Sequence, residues 1–113
     1  MKHAARFVLA AAILFTFVMA LLPHPPSLPG TPSDKVLHVL AFAVLAILAV
    51  RAFPVQSLTT LLCWLVGFGA LIELLQAIPA LHRDSDPIDL AFDAAAALLA
   101  GWTTRRLTVA RRD

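Results

Sequence analysis

The chain alternates between long apolar runs and short breaks that are polar or rich in proline. The apolar runs cover residues 7–22, 36–53, 58–81 and 87–102. Between the first two lies Pro23-His24-Pro25-Pro26-Ser27-Leu28-Pro29-Gly30-Thr31-Pro32. Proline fixes φ and donates no hydrogen bond, so this stretch predicts an extended loop. Ser33 is placed as an N-cap, with Asp34 in the first turn of the helix it starts. Pro54 ends that helix, and Arg51 near its end is able to snorkel to a water interface. The charged loop His82-Arg83-Asp84-Ser85-Asp86 separates the third run from the fourth. There Asp86 followed by Pro87 reads as N-cap and first helical position. The pattern therefore predicts one all-α domain with helices over about 5–22, 34–53, 57–81 and 87–103, then a basic tail over 104–113.

Composition decides what surrounds those helices. Hydrophobic residues make up 60% of the 113 and charged ones 14%, against averages of about 45–50% and 25% in soluble domains. Mean hydropathy is +0.85. A soluble fold of this size has too little interior to hide that much apolar surface, so the expected solvent is lipid. A run of about 20 apolar residues crosses about 30 Å of hydrocarbon, and the expectation is an integral membrane bundle of four transmembrane helices. The first run, with Lys2 and Arg6 before it, also has the layout of a secretory signal peptide. No clean cleavage site follows it in Val18-Met19-Ala20-Leu21-Leu22, which favours an uncleaved span. The single Cys63 forms no internal disulfide and reads as a small packing residue.

Charge gives the orientation. With four spans, Lys2, Arg6, Arg51, Arg105, Arg106, Arg111 and Arg112 share one side, leaving Lys35 and Arg83 for the other. The positive-inside rule then places both termini in the cytoplasm. The tail arginines read as contacts to anionic lipid that hold topology, not as a nucleic-acid site. Ala96/Ala100 and Ala97/Gly101 have the small-xxx-small spacing that lets helices approach, and Gly67 with Ala70 or Leu71 offers a weaker version on the third helix.

Polar residues inside the apolar runs mark the candidate site. Asp34 and His38 are four apart, Glu73 and Gln76 three apart, and Asp89 and Asp93 four apart, so each pair shares a helix face. The predicted topology gathers all six in the outer half of the bilayer, with Lys35 and Arg83 beside them. A charge at a helix centre costs about 2.5–3.5 kcal/mol on insertion scales. Glu73, Asp89 and Asp93 are therefore expected to face inward, around an outward-opening polar pocket. Plainer roles stand beside this. Asp34 suits a helix dipole, Asp89 a capping box with Asp86, His38 a headgroup or loop carbonyl, and Gln76 an interhelical hydrogen bond.

In order and spacing, Asp34-Lys35-x-x-His38, Glu73-x-x-Gln76, and Arg83 with Asp89 six residues on and Asp93 four further resemble the VanZ-like family of small membrane proteins. The resemblance covers residues 33–101. Asp93 stands where the family commonly has Asn, and Ala96 and Ala100 where Gly is usual. It implies a multi-pass protein of the bacterial inner membrane, from a family whose founding member is associated with teicoplanin resistance.

Three functions fit these residues. The first is binding of a lipid, a cell-wall precursor or a glycopeptide-related ligand, with Asp34, Lys35, His38, Glu73, Gln76, Arg83, Asp89 and Asp93 as the ligand-binding set and Arg83 suited to an anion. The second is an enzyme acting on a lipid-linked or cell-wall substrate, with Glu73, Asp89 and His38 as candidate acid–base residues. The third is a structural salt-bridged network. The sequence leaves the cofactor unknown: a divalent metal held by Asp, Glu and His is compatible with the enzyme, though no His-x-x-x-His or cysteine cluster supports it.

Overall fold

The computed structural model describes residues 2–22, 34–78 and 87–112, with side chains over 3–22, 36–78 and 88–108. Among them the chain is all helical, without strands: α1 (Lys2–Leu21), α2 (Asp34–Ala52), α3 (Leu58–Gln76) and α4 (Pro87–Arg112). The bundle measures 49 × 25 × 22 Å.

Helix ends follow local chemistry. After α2, Phe53-Pro54-Val55-Gln56 forms a turn closed by the Gln56 amide donating to the Phe53 carbonyl at 3.2 Å, with Pro in its favoured second position. Ser57 then caps α3: its Oγ accepts from the Thr60 amide at 3.1 Å and donates to the Thr60 hydroxyl at 2.8 Å. The α4 helix starts at Pro87, as its sequence signal predicts.

Two boundaries differ from the apolar pattern. The third helix stops at Gln76, with Ala77 as C-cap, and does not continue to Leu81. Pro79 supplies the reason: it lacks the amide that would bond the Leu75 carbonyl and disfavours helix at Ile78. At its other end, α4 runs on through the expected basic tail to Arg112. Arginine, leucine and alanine are good helix formers, and no Gly or Pro follows Gly101. Thr104 and Thr108 donate to the carbonyls four residues back, both at 2.8 Å, which hides their hydroxyls along the helix. The proposed Ser33 and Asp86 caps lie outside the described residues.

The α2 helix is the hub, packed most extensively on α4 and also touching α1 and α3. The α2–α4 seam is tight because it is built from small residues. Ala46, Ala49 and Ala97 are buried, and a Cβ placed on Gly101 would lie 3.1 Å from Leu58 and 3.7 Å from Ala46. On α3 the close approach is at Gly69, where a Cβ would meet Leu90 at 2.8 Å and the Phe42 ring at 3.2 Å; Gly67 has nothing within 4 Å. The expected small-residue contact on α3 is thus displaced by two residues, onto the other side of the helix.

A large aliphatic core, including Leu9, Leu45, Leu61, Leu65 and Ala97, fills one half of the bundle. A smaller cluster of Ala20, Phe42 and Ile72 sits in the other half. Between them Phe68 contacts Phe17 and Phe42, at 6.2 and 6.0 Å between ring centroids.

The outside of the bundle carries many large apolar side chains. Phe7 is 76% exposed and Leu74 72%, and Phe15, Trp64, Ile88 and Leu99 are exposed with them. Two helical segments, His3–Leu21 and Leu58–Gln76, are long and apolar enough to cross a membrane, and Val36–Ala52 is a shorter apolar helix. Neither long helix is a covered core helix, since only 11% and 22% of their apolar windows are buried.

Candidate functional site

The polar groups separate to the two ends of the bundle. One end collects the start of α1, the α2–α3 turn and the later turns of α4. There Arg6 Nε donates to the Ala52 carbonyl at 3.2 Å, and its guanidinium lies 4.6 Å from the centre of the Phe53 ring. Arg105 donates to the Gln56 carbonyl at 2.8 Å, with its Nε buried and without a partner. Arg106 stacks over Trp102 at 4.9 Å. Ala52 is the last residue of α2, so Arg6 satisfies one of the carbonyls that a helix end leaves open and complements its negative dipole.

The opposite end holds the carboxylates, and the tight contact at Gly69 sets its geometry. Phe42, Gly69 and Leu90 meet there. One turn outward from Phe42 on α2 is His38, and one turn outward from Gly69 on α3 is Glu73, so these two reach the same level. Asp89 lies in the first turn of α4, and Asp93 lies one turn deeper on the same face. Asp93 is six residues from the helix start, about 9 Å along the axis.

A third helix reaching Leu81 would set Glu73 eight residues, about 12 Å, from its end, and the stop at Gln76 changes that depth. With α3 ending at Gln76, Glu73 is in the last turn of its helix, three residues or about 4.5 Å from its end. Asp93 is the deep charge: it is 3% exposed, and its Oδ1 has no hydrogen-bond partner. Glu73 and Asp89 lie close enough for their charges to act on it. Glu73 is 9% exposed, and Glu73, Asp89 and His38 each have an interaction of their own.

Gln76 is buried and committed elsewhere. Its Nε2 donates to the Ala20 carbonyl at 2.9 Å, tying the end of α3 to the last turn of α1. This is the interhelical bond that its place in an apolar run suggested. The side chains of Asp34 and Lys35, and all of Arg83, lie outside the described residues, so their part in the set rests on the sequence.

Two apolar cavities lie away from the carboxylates among the described residues. An apolar groove of about 440 Å³ runs between α1 and α2, floored by Ala12, Thr16 and Ala41 and reaching His38. A second, of about 140 Å³, lies near Phe53, Trp64 and Phe68. Glu73, Gln76, Asp89 and Asp93 line neither. The expected mouth of a polar pocket, formed by residues 23–35 and 79–86, lies outside the described side chains; among the described residues Glu73, Asp89 and Asp93 form an acidic cluster. Its described side chains supply acceptors, and no three His, Cys, Asp or Glu form a group able to hold a metal.

No family model matches the chain, and no curated protein or solved structure matches it. The VanZ-like resemblance therefore rests on the motif residues themselves.

Proposed function

We propose that the chain is a VanZ-like protein of the bacterial inner membrane, with four transmembrane helices and both termini in the cytoplasm. Its carboxylate end faces outward and binds the headgroup of a lipid or cell-envelope precursor. An apolar exterior as extensive as this one is stable only in an apolar solvent. The short apolar length of α4 is compatible with a span because its two carboxylates lie on one face and Asp93 is buried in the bundle. The orientation follows from the arginines grouped at the opposite end.

The observation that carries the binding function is Asp93. A buried carboxylate with an oxygen left unpaired costs stability unless something occupies it. Among the described residues no donor reaches that oxygen.

Native mass spectrometry of the protein purified from bacterial membranes tests this directly. A lipid or wall precursor that co-purifies and is lost on mutating the acidic cluster supports binding. A protein that emerges free of any such ligand overturns it. Turnover of that ligand, abolished by Glu73→Gln or His38→Ala with binding kept, would establish the enzyme. A structural network is favoured for one residue, Gln76, by its hydrogen bond to Ala20.

A further inference from the structure

We infer that the arginine end seats one anionic phospholipid, with its phosphate on Arg6 and the start of an acyl chain in the cavity beside Phe53. This is a second site, away from the carboxylates. It rests only on the proposed place of the chain in a membrane. The charge at this end is one-sided. The stretches that build it, residues 2–6, 51–57 and 101–112, hold Lys2, Arg6, Arg51, Arg105, Arg106, Arg111 and Arg112 and no Asp or Glu; Asp113 alone follows them. The described contacts of Arg6, Arg105 and Arg106 are to carbonyls and rings, which leave their charges in place. Arg6 and Arg105 reach the Ala52 and Gln56 carbonyls, and Arg51 precedes Ala52. Helices α1, α2 and α4 thus each bring an arginine to one short turn. Basic sites between helices on the cytoplasmic side suit acidic lipid headgroups.

Arg6 has donors left for a phosphate. A guanidinium carries five N–H groups, and Arg6 spends the one on Nε. The residue is exposed, and its contact with the Phe53 ring leaves the N–H edge of its terminal nitrogens open. Those nitrogens keep the fork that meets two phosphate oxygens. The neighbouring cavity favours a lipid over a soluble polyanion. The Phe53 ring under Arg6 also lines the apolar cavity of about 140 Å³, with Leu9, Ile13, Trp64 and Leu65. Trp64 meets Phe53 edge-on at 5.8 Å between centroids and is 54% exposed, so this cavity borders the bundle exterior. A charged fork and an apolar cleft that share one ring match the phosphate and chain of a single amphiphile. The cavity is smaller than the roughly 300–1,000 Å³ of a small-molecule pocket. It takes part of one chain, and the rest lies along the exposed apolar surface.

The test follows Trp64 fluorescence in the full-length chain, with Trp102→Phe leaving Trp64 as the sole tryptophan. The protein is held in an uncharged detergent and titrated with phosphatidylglycerol or phosphatidylcholine whose identical acyl chains are brominated, since bromine quenches an indole it touches. The expected result is half-quenching at about tenfold less phosphatidylglycerol than phosphatidylcholine. Arg6→Gln lowers this preference about fivefold, the worth of one basic residue at a membrane surface. Arg6→Lys keeps the charge but loses the fork, and retains part of the preference. Arg106→Gln removes the same charge from the ring at position 102 and leaves the preference nearly unchanged. Equal quenching by the two lipids overturns the inference and leaves the membrane reading intact, whereas no quenching by either removes that reading as well. A loss in Arg106→Gln equal to that in Arg6→Gln reduces the effect to diffuse surface charge and also overturns the site. Reversal of the quenching by a single-stranded oligonucleotide at equal phosphate concentration assigns the arginines to polyanions in general and overturns the lipid. Should Arg6→Gln not fold, the two-lipid comparison with Arg6 in place still decides. A preference unchanged in a folded Arg6→Gln protein counts against the site as well.

Discussion

The two ends of the bundle use charge in opposite ways. At the arginine end, polar groups are spent on the fold: Arg6 holds the Ala52 carbonyl and stacks on Phe53, Arg105 holds the Gln56 carbonyl, and Arg106 lies on Trp102. At the carboxylate end Gln76 is spent in this way, on Ala20, and Glu73, Asp89 and His38 have interactions of their own. Asp93 is buried more deeply than any of those arginines, yet its Oδ1 meets no donor. Helix-terminal carbonyls attract arginines and are satisfied by them. A lone carboxylate in an apolar seam has no such local answer. The contrast separates arginines that reach helix-terminal and turn carbonyls, even with Arg105 Nε left over, from a buried carboxylate whose Oδ1 no described donor reaches.

Substitutions sharpen that contrast, and thermal unfolding in detergent reads all of them. The largest effect is expected at Gly69, which fixes where α2, α3 and α4 meet beneath the acidic cluster. Gly69→Leu overpacks this point and costs about 3 kcal/mol; a variant as stable as wild type would mean that the helices do not meet there. Next comes Arg6→Ala, which removes a charged hydrogen bond and a ring contact and costs about 1.5 kcal/mol. No loss would deny the arginine end its structural role. Asp93→Asn runs the other way and stabilises by about 1 kcal/mol, because it removes buried charge that no described donor satisfies. Destabilisation there would place Asp93 in a structural network and collapse the difference between the ends. Gln76→Leu costs about 0.6 kcal/mol, the average worth of a hydrogen bond between membrane helices. Smallest is Gly67→Ala, where open space and better helix propensity together give a gain of about 0.5 kcal/mol.

Much of this architecture is legible in the residues alone. Four apolar runs become four helices, and Pro54 and Pro87 mark an end and a start that the structure keeps. Ala97 and Gly101 lie in the tight seam that their spacing suggests. Two errors come from weighing polarity above backbone chemistry. Apolar residues on both sides of Pro79 conceal a helix stop, and the arginines of the tail conceal a helix that continues. The first error matters for the site, because it moves Glu73 from deep in its helix to the last turn and leaves Asp93 as the deep charge.

What the sequence cannot supply is who pairs with whom. Glu73, Gln76, Asp89 and Asp93 all read as polar groups of one outer half. Only packing distinguishes Gln76, which is satisfied by Ala20, from Asp93, whose Oδ1 is left over. The choice between Gly67 and Gly69 is likewise a matter of helix rotation, which a run of residues apolar on every side does not specify.

The central claim is that the two ends face opposite sides of a membrane, with the carboxylates outward. Labelling of intact cells with a membrane-impermeant maleimide tests it most directly. In a Cys63→Ala background, single cysteines are placed by Val55→Cys in the α2–α3 turn, which is 84% exposed, and by Ser85→Cys in the loop before α4. The account predicts that Ser85→Cys is labelled in intact cells and that Val55→Cys is labelled only after the membrane is opened. Labelling of Val55→Cys from outside, or of both positions alike, would contradict it.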